Sequence, residues 1–243
     1  MNDNNELKNK IFAEIAKVPD FPKIYPSWVS VGPVPIRLNT RRLYSYPKIV
    51  ELFVEYLAPM IAESKVNLIA GAETAGIPLA MALSLKTRIP FIYVRKEEKI
   101  KGNVSQGCIE GDFKAGDKAV LVDDLLGNGK TKLLLIENLK KAGVEVKSIV
   151  MIMTTKNKLL AGFKDMIEQR HISLFKIYTW DELTSFQIDQ GIIPKEIAPL
   201  VLDYMQNPDS WNDNARKWQS YCQALKNLNI EIPDFLKKYA AES

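Results

Sequence analysis

The segment Ala119–Gly143 constrains the fold of this chain more than any other. It reads AVLVDD, LLGNGKT and KLLLIENLKKAG in succession. Ala119 to Asp123 make a short apolar run with β-branched Val120 and Val122, the pattern of a strand covered on both faces. Asp123 and Asp124 are expected to end that strand. Gly127, Asn128 and Gly129 supply a tight turn, and Thr131 opens a helix whose Leu135, Ile136, Leu139 and Ala142 share one face. Gly143 is the natural stop of that helix.

A strand, two carboxylates, a glycine turn and a helix have a joint physical use. Main-chain N–H groups of the turn and of the helix start converge on one point and favour an anion, most often a phosphate. Paired carboxylates just before them accept hydrogen bonds from a diol, and a ribose 5′-phosphate presents both groups. An ordinary strand–turn–helix connection with acids at its polar end fits the same residues. GNGKT also resembles the end of a P-loop, but that motif needs a glycine where Asp124 stands.

Composition narrows the classes. The chain has 243 residues, 47% hydrophobic and 26% charged, with a formal net charge of +4. That length allows one α/β domain with an extension or two small domains. The mild positive charge suits an anionic substrate without demanding nucleic acid. Cys108 and Cys222 are far apart, which argues against a disulfide scaffold or a thiolate metal site. The polar start MNDNNELKNK is no signal peptide and no apolar run reaches membrane-spanning length, so a cytoplasmic protein is expected. The single histidine, His171, leaves no partner set for Ser–His–Asp, Cys–His or His-rich zinc chemistry and is read as structural.

Along the chain, Leu7, Ile11, Ile15 and Val18 recur at helical spacing, and Tyr46-Pro47 starts a second helix with Val50, Phe53, Val54, Leu57 and Ile61 inward. Strands are expected at 66–70, 90–94, 146–153 and 174–178, and helices at 158–169 and 180–189. After Pro194 the pattern is purely helical, with Pro208-Asp209-Ser210 read as break and cap between two apolar stripes. The segment RKEEKIKGNVSQGCIEGDFKAGD has no periodicity. It reads as a solvated loop, or weakly as a nucleic-acid patch without aromatic residues.

The acid–turn–helix segment resembles the phosphoribosyl-pyrophosphate motif of the type I phosphoribosyltransferases, on Val120 to Asp124, Leu125, Leu126, Gly127 to Lys130 and Thr131. Three further segments are similar to the orotate phosphoribosyltransferase branch. Pro35, Leu38, Arg41, Arg42, Leu43, Ser45, Tyr46 and Pro47 keep its entry pattern, with Arg37 where an aromatic is usual and Asn39 for Asp. Gly71, Thr74, Ala75, Gly76, Ile77 and Pro78 match its pyrophosphate turn. Arg95, Lys96, Lys99, Gly102 and Ile109-Glu110-Gly111 match its mobile catalytic loop, with Lys101 in place of a histidine.

The resemblance implies an α/β fold, a doubly wound parallel sheet with an N-terminal hood over 1–48 and a core over 49–190; residues 191–243 fall outside it and are read from their helical pattern as a C-terminal extension. It implies transfer of phosphoribosyl from phosphoribosyl pyrophosphate to orotate, with Mg²⁺ brought in on the pyrophosphate rather than held by protein side chains. Arg95, Lys96, Lys99, Lys101, Asp123 and Asp124 would be catalytic. Ala72, Glu73, Thr74, Ala75, Gly127, Asn128, Gly129, Lys130, Thr131, Arg37 and Lys156 would bind substrate, Lys156 standing beside the Thr154-Thr155 pair that replaces the family's Asp-Arg. A homodimer is implied, the 95–110 loop reaching the neighbouring site, with no nucleic-acid or membrane partner. Transfer to a different base, or a non-catalytic regulator that binds a phosphoribosyl ligand, are the alternatives.

Overall fold

The computed structural model describes residues 2–19, 21, 26–29, 32–37, 39–98, 107–155, 159–212 and 214–240. The chain runs through α1 (Asn2–Ala16), the strands β1 (Ser27–Val29) and β2 (Gly32–Val34), a 3-10 turn Thr40–Ser45 and α2 (Pro47–Glu63). Then follow β3 (Leu68–Ala72), α3 (Gly76–Thr87), β4 (Phe91–Val94), β5 (Ile109–Glu110), β6 (Lys118–Leu126), α4 (Lys130–Lys141), β7 (Glu145–Thr154), α5 (Ala161–Gln169) and β8 (Ser173–Thr179). The last elements are α6 (Trp180–Asp189), α7 (Ala198–Gln206), a 3-10 turn Pro208–Trp211, α8 (Ala215–Asn227), a 3-10 turn Asp234–Leu236 and α9 (Lys237–Ala240). They divide into two discontinuous units: Met1–Glu14 with Thr40–Trp180, and Ile15–Asn39 with Asp181–Ser243.

The first unit is an α/β layer structure on a six-stranded sheet ordered β5-β4-β3-β6-β7-β8. Every neighbouring pair is parallel except the short edge strand β5, which runs antiparallel to β4. Parallel strands need crossover helices, and these cover both faces. On one face Ala119, Leu121 and Ile149 pack with Leu135, Ile136 and Leu139 of α4 and Phe163 and Met166 of α5. Alternation turns Val120 and Val122 to the opposite face, where α3 lies along β3 and β6 and α2 along β7 and β8. Phe12 of α1 meets Tyr178 of β8 edge to face, ring centroids 5.3 Å apart.

One expectation needs correcting. Asp123 and Asp124 do not end β6. The ladder with β7 continues through Asp123↔Met151, Leu125↔Met153 and Leu126↔Thr154, because the neighbouring strand supplies main-chain partners beyond the acids. As successive residues of a strand, the two carboxylates therefore leave on opposite faces of the sheet.

The second unit pairs the β1–β2 hairpin with the C-terminal helices. Trp211, Trp218 and Tyr221 stack edge to face in its core, and the Tyr221 hydroxyl donates to the Pro35 carbonyl. Lys217 Nζ lies 2.5 Å from Asp203 Oδ2, which also accepts from Trp211 Nε1 at 2.7 Å. The cap of α8 is Asn214, whose side chain accepts from Lys217 N at 3.2 Å. Ser210, the expected cap, instead sits inside a 3-10 turn.

Candidate active site

The C-terminal ends of β3 and β6, adjacent in the sheet, bring the acid pair and both glycine turns together. Asp123 and Asp124 are 6% and 9% exposed. Asp123 faces α4: its Oδ2 is 2.5 Å from Lys132 Nζ, and its Oδ1 accepts from the Asp124 amide at 2.8 Å. Lys132 Nζ also donates to the Leu125 carbonyl at 2.6 Å. Asp124 faces the other side, where its Oδ2 accepts from Thr40 Oγ1 at 2.5 Å. Burial pushes the Asp123 carboxyl up to about 6; the Lys132 ammonium pulls it down and Asp124 adds to the rise.

The turn after β6 is open at its tip. Asn128 and Lys130 are exposed, while Gly129 is buried with φ +90°. A side chain on Gly129 would meet the Phe163 ring at 2.5 Å, so both the backbone conformation and the space demand glycine. The Asn128 side chain accepts from Lys130 N at 3.1 Å, and its carbonyl accepts from Leu160 N at 2.9 Å. Thr131 sits in the first turn of α4, whose leading amides have no carbonyl inside the helix to bond and face an anion favourably.

Ala72, Glu73, Thr74 and Ala75 form the turn from β3 into α3. Ala72 and Ala75 are buried, Glu73 and Thr74 are exposed, and the peptide between the latter two is cis. At Gly76 a Cβ would lie 2.2 Å from the Val122 carbonyl oxygen and 2.9 Å from Asp123 Cα. Its absence sets the start of α3 directly against the acid-bearing strand. The Tyr44 hydroxyl donates to the Ala75 carbonyl at 2.7 Å. Residues 40–45 thus touch the acid-bearing strand through Thr40 and the β3–α3 turn through Tyr44. Burial first, then Asp124 and Asp123, hold the Tyr44 phenol far above its ordinary range, so it stays a donor.

Arg95 is a buried, ion-paired side chain. It is 7% exposed, with Nη1 2.6 Å from Glu110 Oε1, Nε 3.6 Å from Glu73 Oε1, and Nη2 donating to the Tyr93 hydroxyl at 2.9 Å. The loop it opens has a closed neck: Arg95 N donates to Cys108 O at 2.7 Å, and Asn138 of α4 donates to Arg95 O at 2.9 Å. Lys96 is exposed beside that neck. Lys99, Lys101 and Lys156 lie outside the described residues. Arg37 is exposed and belongs to the second unit.

Sequence reasoning missed Lys132, Thr40, Tyr44 and Tyr178. Tyr178 is fully buried on β8, its hydroxyl has no hydrogen-bond partner among the described residues, and burial and Asp124 push its phenol up. Only Lys132 carried a signal. A cation in the first turn of a helix opposes the helix dipole, so it calls for a specific partner.

A phosphoribosyl transferase domain model matches residues 41–180, more than half of the chain. The orotate phosphoribosyltransferase of Listeria monocytogenes serotype 4b is 31% identical over 187 residues, which cover 76% of this chain and 87% of the relative. That of Bacillus anthracis is 33% identical over 189 residues, covering 76% and 88%. Among solved structures, the UMP synthase of Leishmania donovani superposes with a TM-score of 0.65 at 27% identity, over 83% of this chain and 42% of that one. The orotate phosphoribosyltransferase of Aeropyrum pernix shares the fold, with a TM-score of 0.58 at 20% identity over 75% and 97%. The acid pair, its two glycine turns and these likenesses agree: the chain belongs to the phosphoribosyltransferase family, with orotate phosphoribosyltransferases among its relatives.

Proposed function

We propose that this chain transfers the phosphoribosyl group of phosphoribosyl pyrophosphate to orotate, giving orotidine 5′-monophosphate and pyrophosphate. The observation that carries the reading is the contact at Gly76, which sets the β3–α3 turn against the strand bearing Asp123 and Asp124, beside the open turn that leads into α4. A sugar carrying phosphate on one side and pyrophosphate on the other needs three such receptors side by side. Curated relatives at 31–33% identity carry the orotate name.

In this reading the bond from ribose C1 to a pyrophosphate oxygen breaks with its electron pair leaving on pyrophosphate. The ring-nitrogen lone pair of orotate forms the new bond, and that nitrogen gives up its proton. Positive charge grows on the sugar and negative charge on the leaving group. Asp123 and Asp124 hold the ribose hydroxyls and favour the cationic ring, while the amides of 127–131 grip the 5′-phosphate and fix C1. The turn of Ala72 to Ala75 receives pyrophosphate, and Arg95 shapes that turn through Glu73.

Lys96, Lys99 and Lys101 neutralise the leaving charge where water is excluded. Lys101 supplies charge rather than a proton, because a lysine titrates near about 10.4. Arg37 and Lys156 are the cations proposed for the base. Among the described residues no three acidic, imidazole or thiol groups cluster into a metal cage. Mg²⁺ brought in with the pyrophosphate would neutralise charge on the leaving group. A homodimer, with the 95–110 loop completing the neighbouring site, and a cytoplasmic location complete the proposal. No helix among the described residues is long and apolar enough to cross a membrane.

Loss of orotate absorbance in the presence of phosphoribosyl pyrophosphate, with and without Mg²⁺, tests the reading. Depletion requiring both is expected. Product from another base in place of orotate would move the assignment to that base. Binding without turnover is a second reading, favoured because Lys132 and Thr40 already engage the two acids. Thermal stabilisation by phosphoribosyl pyrophosphate with no product from any base would select it.

A further inference from the structure

We propose that Lys132 is a positioning residue for the sugar-binding step: anchored on the Leu125 carbonyl, its ammonium holds Asp123 ionised and fixed in orientation toward the ribose. The proposal rests on the reading above for the role of Asp123. Its geometry is independent of that reading.

Lys132 has no business at its position by helix propensity alone. It occupies the first turn of α4, where the helix dipole repels a cation, and its side chain is buried rather than spread over the helix surface. Instead of snorkelling to water, the ammonium turns back to the strand that precedes the helix. One hydrogen goes to Leu125 O at 2.6 Å and another to Asp123 Oδ2 at 2.5 Å. The main-chain contact matters, because it fixes the ammonium whether or not Asp123 is charged. A side chain held on the Leu125 carbonyl of β6 aims the carboxylate two positions earlier, across the turn from which α4 starts.

Few other groups compete for Asp123. From its own strand come the Asp124 amide, which donates to Oδ1, and the Asp124 carboxylate, which repels. From residues 40–45 comes the Tyr44 phenol, whose hydroxyl is engaged by the Ala75 carbonyl and which stays neutral. The neighbouring strand offers Met151, and α3 offers Gly76. Lys132 is therefore the cation that decides whether a carboxyl buried to this degree carries charge near neutral pH. Without it, desolvation and Asp124 act in the same direction and keep the acid protonated. A protonated Asp123 would meet a ribose hydroxyl with one acceptor fewer and no charge to favour a cationic ring.

The readout is the acid limb of kcat/KM for phosphoribosyl pyrophosphate. In the unaltered enzyme activity is expected to rise through a pH of about 6. Lys132→Met should move that limb upward by about two pH units, leaving activity at pH 7 reduced roughly 10-fold and largely restored at higher pH. Lys132→Arg should return the limb to its original place. A folded Lys132→Met enzyme with a lower plateau and an unmoved limb would overturn the proposal, since a purely structural lysine does that.

A second measurement needs no variant and no turnover. In the unaltered protein, the Lys132 Nζ resonance should shift with the same midpoint as the Asp123 carboxyl carbon. A Lys132 signal indifferent to that titration would equally overturn the proposal. Coupled titration in a protein that turns over no base would leave the Lys132–Asp123 pair standing and remove only the transferase reading.

Discussion

The turn after β3 and the turn after β6 both carry a parallel strand into a helix through glycine, yet different forces hold them. Around Gly76 the constraint is packing: main chain meets main chain, and any side chain would strike the Val122 carbonyl. Around Asp123 it is charge, since a buried carboxylate, a buried ammonium and a carbonyl saturate one another across the start of α4. A packed turn has one shape at every pH. A turn held by an ion pair depends on protonation.

Four experiments would break or sharpen that contrast. The largest effect is expected from Gly76→Ala. Overpacking a well-filled site costs about 1–3 kcal/mol, and a contact of 2.2 Å onto main chain belongs at or above the top of that range. Denaturant unfolding should show the loss with little dependence on pH. Wild-type stability in this variant would mean that packing does not define the first turn.

Nearly as large is the pH term at Asp123. Its folded carboxyl holds the proton to about pH 6, against an ordinary value of about 3.9. The native state thus binds this proton more tightly than the unfolded chain. The stabilisation is complete below the ordinary value and is lost as pH rises through about 6. Asp123→Asn cannot titrate, so between pH 4 and 7 stability should shift in favour of the variant by roughly 2 kcal/mol relative to wild type. A constant difference across that range would show that charge does not govern the second turn.

Gly129→Ala tests whether the second turn also has a packed component. Positive φ and the Phe163 ring together should cost about 2 kcal/mol. Adding Phe163→Leu should recover only the steric part, and a double-mutant cycle separates the two. The smallest effect is expected from Thr40→Val, which removes the hydroxyl on Asp124 for about 1 kcal/mol. Loss of binding for phosphoribosyl pyrophosphate greater than the loss of stability would place Thr40 in the site rather than merely beside it.

What could be read from the chain beforehand follows the range of the interactions. The buried strands were visible because a strand covered on both faces is a run of apolar residues, and Gly76 and Gly129 were visible because turns require them. The continuation of β6 through its acids was not, because β7 supplies the partners from some thirty residues away. Thr40 and Tyr44 escaped for the same reason: a threonine gives no hint that it bonds an aspartate 84 residues further on. Asn214 displaced Ser210 as the cap because only the fold decides which of two polar residues meets the helix start. The gathering of 15–39 with 181–243 leaves no trace in linear order.

The neck at Arg95 and Cys108 has a consequence for how such a chain can change over generations. Main-chain atoms of its two ends and an amide from α4 make that closure. Lengthening a closed loop costs little beyond the first few residues. Substitutions, insertions and deletions past that clasp are therefore nearly invisible to the sheet. Sequence can be varied there while the strand-and-turn scaffold is inherited untouched.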